Sequence, residues 1–572
     1  MADYTTFLTK EDFSGYEDPE RYQKEWLPKV EAYRKALAKA IDPAYTVTVP
    51  KDIDTLVEEQ FNAVDYLYKK KLLTPEEFAI TDSSATSLAA KLSSGELKAV
   101  EVFKAFAKRA VIAHQFLNCA MELFTDEGLE RAKFLDEYYA KNGKTIGPLH
   151  GIPISLKEQM AFRGKITHGG YVSKITNVTP EHGITTQILE DLGAVFYIRT
   201  SQPQTLMHLD SNNNFTGLTR NPYNMKLSSG GSSSGEGAVV AFGGSAIGIG
   251  SDIGGSIRAP SAYSGGVGLR PSTKRFSLYA GVSSGAGQES VPAVSGPMTR
   301  SVEDVDFLMN HYLNEGKPWV RDAYCLKMPW RKVEKPQPKD FTVAVMWDDE
   351  IVHPTPPITR GLKFVVEKLK AAGVKVVDFA PIRTQEAFDT VNKMYNCDGN
   401  YKQKELLSGS GEPLTKLTKW ALNYGDGSKE YTVKENRKLN VIRDQLRYDY
   451  NKFMVDNNID FLLTPTYSNV APVSENVYGW SYTALFNILD FPALVFQTGL
   501  FQDPEVDKWN ESFKDFKYRS ELERLELEQY EPETFSGAPI GLQLVGKRYE
   551  DEEVVAAGKT IVDIIGADLF KH

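Results

Sequence analysis

The feature that most constrains this 572-residue chain is a glycine- and serine-rich stretch at roughly residues 228–298. Gly/Ser composition is the usual mark of a flexible linker. Here it is interrupted by apolar runs at Ala238–Phe242 and Ala246–Ile249, and by Asp252, Arg258 and Arg270, which a solvated spacer does not need. Glycine at this density inside an apolar frame points to backbone that approaches a ligand closely or adopts positive φ. The stretch is therefore expected to be folded and to carry the site.

Several familiar patterns fall in this stretch and fail on their own chemistry. Gly231–Gly235 and Gly281–Gly285 both match Gly-x-Ser-x-Gly, the turn that presents a nucleophilic serine between a strand and a helix. Neither follows a clear apolar strand, and none of the eight histidines stands in a pattern that marks a base. His150 and His168 flank the Lys157 segment and are expected to be structural. Gly230–Gly235 also resembles a phosphate loop, but such a loop ends in Lys and then Ser or Thr. Glu236 in that place would repel a phosphate.

A lysine and two serines remain. Lys157 follows Gly151-Ile-Pro-Ile-Ser-Leu, where Ile152, Ile154 and Leu156 suggest an apolar strand that runs inward. Desolvation disfavours the charged form of an amine, so a lysine carried inward can act as a base near neutral pH. Without a partner it would be a strand-end residue whose ammonium reaches water. Ser256 closes Ser251-Asp-Ile-Gly-Gly-Ser, where two glycines let the backbone turn several N–H groups towards one point beside a hydroxyl. That is the requirement of an oxyanion hole. Ser232 lies 24 residues before Ser256 in the same block, and a hydroxyl between a lysine and a nucleophilic serine relays the proton that the lysine does not reach directly.

The run Ser228-Ser-Gly-Gly-Ser-Ser-Ser-Gly-Glu-Gly, continued by Gly250-Ser-Asp-Ile-Gly-Gly-Ser-Ile-Arg-Ala-Pro and Gly268-Leu-Arg-Pro-Ser, resembles the amidase signature family. Within it the chain looks most like fungal acetamidases and, more distantly, fatty acid amide hydrolase. Similar segments at 151–159, 203–222, 463–472, 482–499 and 537–549 extend the likeness from about residue 80 to the C-terminus. The resemblance implies Ser256 as nucleophile, Ser232 as a bridging serine preceded by a cis peptide, and Lys157 as general base. It implies backbone donors for an oxyanion at Ile253, Gly254, Gly255 and Ser256, and supporting hydrogen bonds from Ser233, Ser251, Asp252 and Arg258. Leu206 falls where relatives place an apolar residue near the substrate. Ser234 and Ser264 depart from the family's usual glycine and cysteine, and neither touches a proposed catalytic group.

The implied activity is that of an amidase, a hydrolase acting on linear amide C–N bonds, with no metal or organic cofactor and a small-molecule amide as partner. The alternatives are an amidotransferase-type subunit of a larger assembly, or a carbamate- or ester-cleaving relative. A net charge of −10 speaks against nucleic acid. Cys119, Cys325 and Cys397 are scattered and odd in number, which supports neither a disulfide framework nor a zinc site. The N-terminus has no basic segment followed by an apolar one, and no 18 apolar residues run uninterrupted, so a cytoplasmic enzyme without a membrane span is expected. A homodimer is the default form for any self-association.

The fold class expected is α/β: one large amidase-signature domain at 81–572, with a central mixed, mostly parallel twisted sheet covered by helices on both faces. An N-terminal helical segment at 1–80, with Leu56, Phe61, Val64 and Leu67 at helical spacing, is expected to pack on it. The clearest strand–helix–strand unit is 341–381, and Ile184–Leu192 with Ala194–Ile198 repeats the order helix, glycine, strand. The charged segment at about 503–533 reads as an exposed helical insertion.

Overall fold

The computed structural model describes residues 11–567 and 569–570. Its centre is one sheet of eleven strands: β1 (Ala120–Leu123), β2 (Pro153–Lys157), β3 (Val195–Thr200), β4 (Ile247–Asp252), β5 (Val267–Arg270), β6 (Val294–Thr299), β7 (Thr342–Val345), β8 (Lys375–Asp378), β9 (Phe461–Pro465), β10 (Ala493–Phe501) and β11 (Pro539–Val545). They lie in the order β1-β3-β2-β4-β6-β5-β10-β11-β9-β7-β8. Every residue of β2 to β7, β9 and β11 is buried. Since successive side chains point to opposite faces, both faces of the sheet are covered.

The α/β class and the mixed sheet agree with the expectation, but the balance of directions does not. Six of the ten strand pairings are antiparallel and four parallel. The parallel pairs sit where helical crossovers are legible: β2–β3 beside β2–β4, and β7–β8 around the buried face of helix Pro356–Ala371 (Leu362, Val365, Val366, Leu369). The central strands β5, β6, β10 and β11 pair antiparallel without such a signature.

Towards the N-terminus, Leu56, Val64 and Leu67 join the same apolar cluster as Ile154 and Ile249 of the sheet, and the Ala63 amide donates to the Pro222 carbonyl at 3.0 Å. The 503–533 segment is exposed over much of its length, but not all of its charge faces solvent. Asp507, Glu523 and Glu526 are buried. Asp507 accepts two 2.7 Å hydrogen bonds from Arg360, and Glu526 accepts from the Tyr478 and Gly479 amides and the Tyr467 hydroxyl. These carboxylates turn inwards because buried N–H groups need acceptors.

Helix Ser234–Ala241, which opens the glycine-serine block, is buried at all eight positions. It lies against β4, where Gly248 and Gly250 alternate on one face. A Cβ at Gly248 would stand 2.1 Å from Glu236 Oε2, and one at Gly250 would stand 2.8 Å from Ser233 Oγ. The glycines thus let the helix carrying Ser233 and Glu236 settle onto the strand. Gly248→Ala is expected to destabilise the protein by about 1–3 kcal/mol through overpacking, read as a lower denaturant midpoint with an unchanged m-value.

Candidate active site

Lys157 is the last residue of β2, and its inward pleat carries the amine into the protein with no exposure. Its Nζ is 2.6 Å from Ser232 Oγ and 2.9 Å from Ser251 Oγ. Burial lowers its pKa to about 7, against the pull of Asp252 and Glu236, which favour the charged form. Glu236 is itself held up to about 8 by burial, although Ser155 Oγ and Thr200 Oγ1 donate to it at 2.5 and 2.7 Å.

Ser232 follows a cis peptide with Gly231. The next residue ties the two serine turns together: the Ser233 amide donates to the Ser256 carbonyl at 3.2 Å, and Ser233 Oγ both accepts from the Ser251 amide (3.1 Å) and donates to the Ser251 carbonyl (3.2 Å). Ser232, Ser251, Ile253, Ser256 and Leu206 all line one cavity of about 750 Å³. None of the described histidines lines it. His168 is stacked on Phe215, with ring centroids 3.7 Å apart, and burial holds it well below its ordinary range. His150 accepts from the Ile146 amide. Gly281–Gly285 forms part of the cavity wall in a loop, outside any strand–helix turn.

Asp252 and Arg258 form the knot that shapes the turn before Ser256. The Asp252 carboxylate receives the Gly255 amide (2.9 Å), the Ile257 amide (3.1 Å), Asn487 Nδ2 (2.8 Å) and two Arg258 nitrogens (3.0 and 3.1 Å). Burial alone would raise its pKa, but the Arg258 guanidinium and these hydrogen bonds outweigh it and hold the carboxyl well below the usual range. Gly255 sits at φ +130°, a conformation few side chains tolerate, and a Cβ there would meet Thr483 Oγ1 at 2.4 Å.

This accounts for a departure from the expected set of four oxyanion donors. The Gly255 N–H is already committed to Asp252, whereas the Ile253, Gly254 and Ser256 amides have no partner among the described residues. Two outward carbonyls fix the peptide planes here. Tyr395 Oη donates to the Ile253 carbonyl at 2.7 Å, and Thr483 Oγ1 donates to the Gly254 carbonyl at 2.6 Å. Because C=O and N–H point opposite ways across a planar trans peptide, Tyr395 turns the Gly254 N–H away from itself.

Tyr395, Thr483 and Asn487 were not singled out from the sequence. Thr483 and Asn487 do leave a signal: they stand four residues apart, hence on one face, in the otherwise mostly apolar and fully buried helix Ser481–Leu489. Of the aromatic residues around 395–425 and 478–491, Tyr395 lines the cavity, while Trp420, Tyr424 and Trp480 pack on one another.

Ser232 and Ser256 thus line one cavity, with the buried Lys157 amine against Ser232. The amidase family model matches residues 101–555. The chain is 39% identical over 526 residues to a putative amidase of Schizosaccharomyces pombe, covering 92% of this chain and 96% of that one. It is 37% identical over 532 residues to the acetamidase of Emericella nidulans, covering 91% and 96%. A solved fatty acid amide hydrolase superposes with a TM-score of 0.98 at 67% identity, covering 99% of this chain and 100% of that one. Both relatives that the motifs suggested, fungal acetamidases and fatty acid amide hydrolase, are among the proteins this chain is similar to. The chain belongs to the amidase signature family and is an amide-hydrolysing enzyme.

Arg258→Met would leave Asp252 buried without its cation, a change worth about 3–5 kcal/mol in comparable buried pairs, and should lower the unfolding free energy by that order. Since the Asp252 pKa is depressed on folding, its stabilisation is complete above its unfolded value of about 3.9 and is lost as pH falls through the folded value. The wild-type and Arg258→Met stability curves, followed by denaturant titration, should therefore converge only in strong acid.

Proposed function

We propose that this protein hydrolyses fatty acid amides to the acid and ammonia or an amine, with Ser256 as nucleophile, Ser232 as proton relay and Lys157 as base. The observation that carries the mechanism is a fully buried lysine amine 2.6 Å from Ser232 Oγ, and burial lowers its pKa to about 7. Neutral Lys157 takes the Ser232 proton as Ser232 takes that of Ser256, and Ser256 Oγ adds to the amide carbonyl. The amides of Ile253, Gly254 and Ser256 receive the oxyanion. The same route returns the proton to the departing nitrogen, which leaves as ammonia or an amine because the amide anion is too basic to leave. Water then adds to the acyl-enzyme and releases the acid.

Support for the fatty acyl class comes from the 67% identity to a fatty acid amide hydrolase over nearly the whole chain. The cavity of about 750 Å³ falls in the range of roughly 300–1,000 Å³ that encloses drug-sized ligands, and acetamide would leave most of it empty. Apolar Met160, Leu206, Met207, Ile253 and Leu278 lie along it. A second reading, short aliphatic amides, is favoured by the acetamidase relatives and by polar Asn436, Asn440 and Arg443 on the cavity wall.

A panel of acetamide, hexanamide, oleamide, N-oleoylethanolamine and p-nitroacetanilide decides between them: kcat/KM should rise with acyl length, and a maximum at acetamide overturns the fatty acyl assignment. Ser256→Ala should abolish hydrolysis while preserving the fold, and Lys157→Ala should lose about 10²–10⁴-fold in kcat, the usual range for a general base. Because the base works deprotonated, the wild-type rate should climb as pH rises through about 7 and then level off.

A further inference from the structure

Ser251 is the second partner of the Lys157 amine, and its own proton has a destination. Ser251 Oγ donates to Gln159 Oε1 at 2.9 Å while lying 2.9 Å from Lys157 Nζ. Gln159 lines the cavity, and its backbone is held at both ends. Its amide donates to Gln202 Oε1 at 3.1 Å, and its carbonyl accepts from the Val282 amide at 2.9 Å. The side chain thus reaches Ser251 from a fixed platform, two residues beyond Lys157.

A neutral lysine has two N–H donors and one lone pair. A hydroxyl has one proton, and at Ser251 that proton is spent on Gln159. Towards Lys157, Ser251 therefore presents only lone pairs and has to accept a Lys157 N–H. The lone pair of Lys157 is then left for Ser232, the direction a base needs. We infer that Gln159 is a positioning residue that sets the hydrogen-bond polarity around Lys157, so that the neutral amine directs its lone pair to Ser232 Oγ. This rests on Lys157 acting as the base.

Without an acceptor at position 159, the Ser251 hydroxyl turns its proton on to neutral Lys157 and competes with Ser232 for the lone pair. Two effects follow together. The rate at the alkaline plateau falls, and the pH midpoint of the rate moves down, because the neutral amine gains a donor. Loosening of the site with entry of water would move the midpoint up instead, towards the ordinary lysine value. The charged groups acting on Lys157, Asp252 and Glu236, are unchanged in the variants below.

The test uses the full-length protein and whichever amide of the panel above is cleaved fastest. For Gln159→Leu the plateau kcat should fall about tenfold, the order of one misdirected hydrogen bond, with its midpoint at lower pH than wild type. Since the competing proton belongs to Ser251, the losses in Gln159→Leu and Ser251→Ala should not multiply in the double variant. Gln159→Glu, which keeps an acceptor but adds a negative charge, should recover plateau rate relative to Gln159→Leu and move the midpoint up. A midpoint in Gln159→Leu that is unmoved or raised, or losses that multiply in the double variant, overturns the inference. Full activity in Lys157→Ala would instead overturn the base assignment beneath it. If Gln159→Leu does not fold, failure of Gln159→Glu to raise the midpoint overturns it.

Discussion

The proposed site depends on an amine buried at the end of an inner strand of the sheet. Water would keep Lys157 charged and unreactive at neutral pH. The covered faces around β2 remove that water, and the amine is left with two serine hydroxyls. The cost of burying it is contained because both neighbours are hydrogen-bonding groups. The nearby acids do not overcome the effect: Glu236 is itself pushed towards its neutral form, and the Asp252 charge is met at close range by Arg258.

A second constraint organises the backbone opposite the lysine. The Asp252–Arg258 pair gathers donors from the turn before Ser256, and Arg258 reaches on to Asn487 and the Thr483 carbonyl. Helix Ser481–Leu489 is thereby tied to the glycine turn by side chain and backbone alike. Tyr395 adds a tie from another helix. Preorganised donors do not reorganise when charge appears, and Tyr395 and Thr483 hold two peptide planes of this turn.

Legibility in the sequence followed the range of the interactions. The strand–helix–strand unit at 341–381 could be read because helix periodicity and strand runs are local, and it appears as β7, helix Pro356–Ala371 and β8. The parallel bias was overestimated because antiparallel pairing of β5, β6, β10 and β11 joins strands without a helical marker. The charge of 503–533 suggested solvent, yet buried Asp507 and Glu523 meet partners more than a hundred residues away in the chain, Arg360 and the His353 amide. Tyr395 and Thr483 act on carbonyls 142 and 229 residues distant. The polar pair Thr483 and Asn487 on a mostly apolar helix marks a buried polar face but not its partner, and nothing local marks Tyr395.

By itself the sequence determined the chemical inventory: a glycine-serine block with serines at 232, 251 and 256, a lysine at the end of an apolar strand, and no histidine in a base pattern. Those follow from residue type and spacing alone. The tertiary structure decided how the inventory is used. It removed the water from Lys157, committed the Gly255 amide to Asp252, and placed Gln159 against Ser251. Each of these depends on distances between segments that only the packed sheet brings together, because desolvation and hydrogen-bond direction are properties of an enclosed space and not of a stretch of chain.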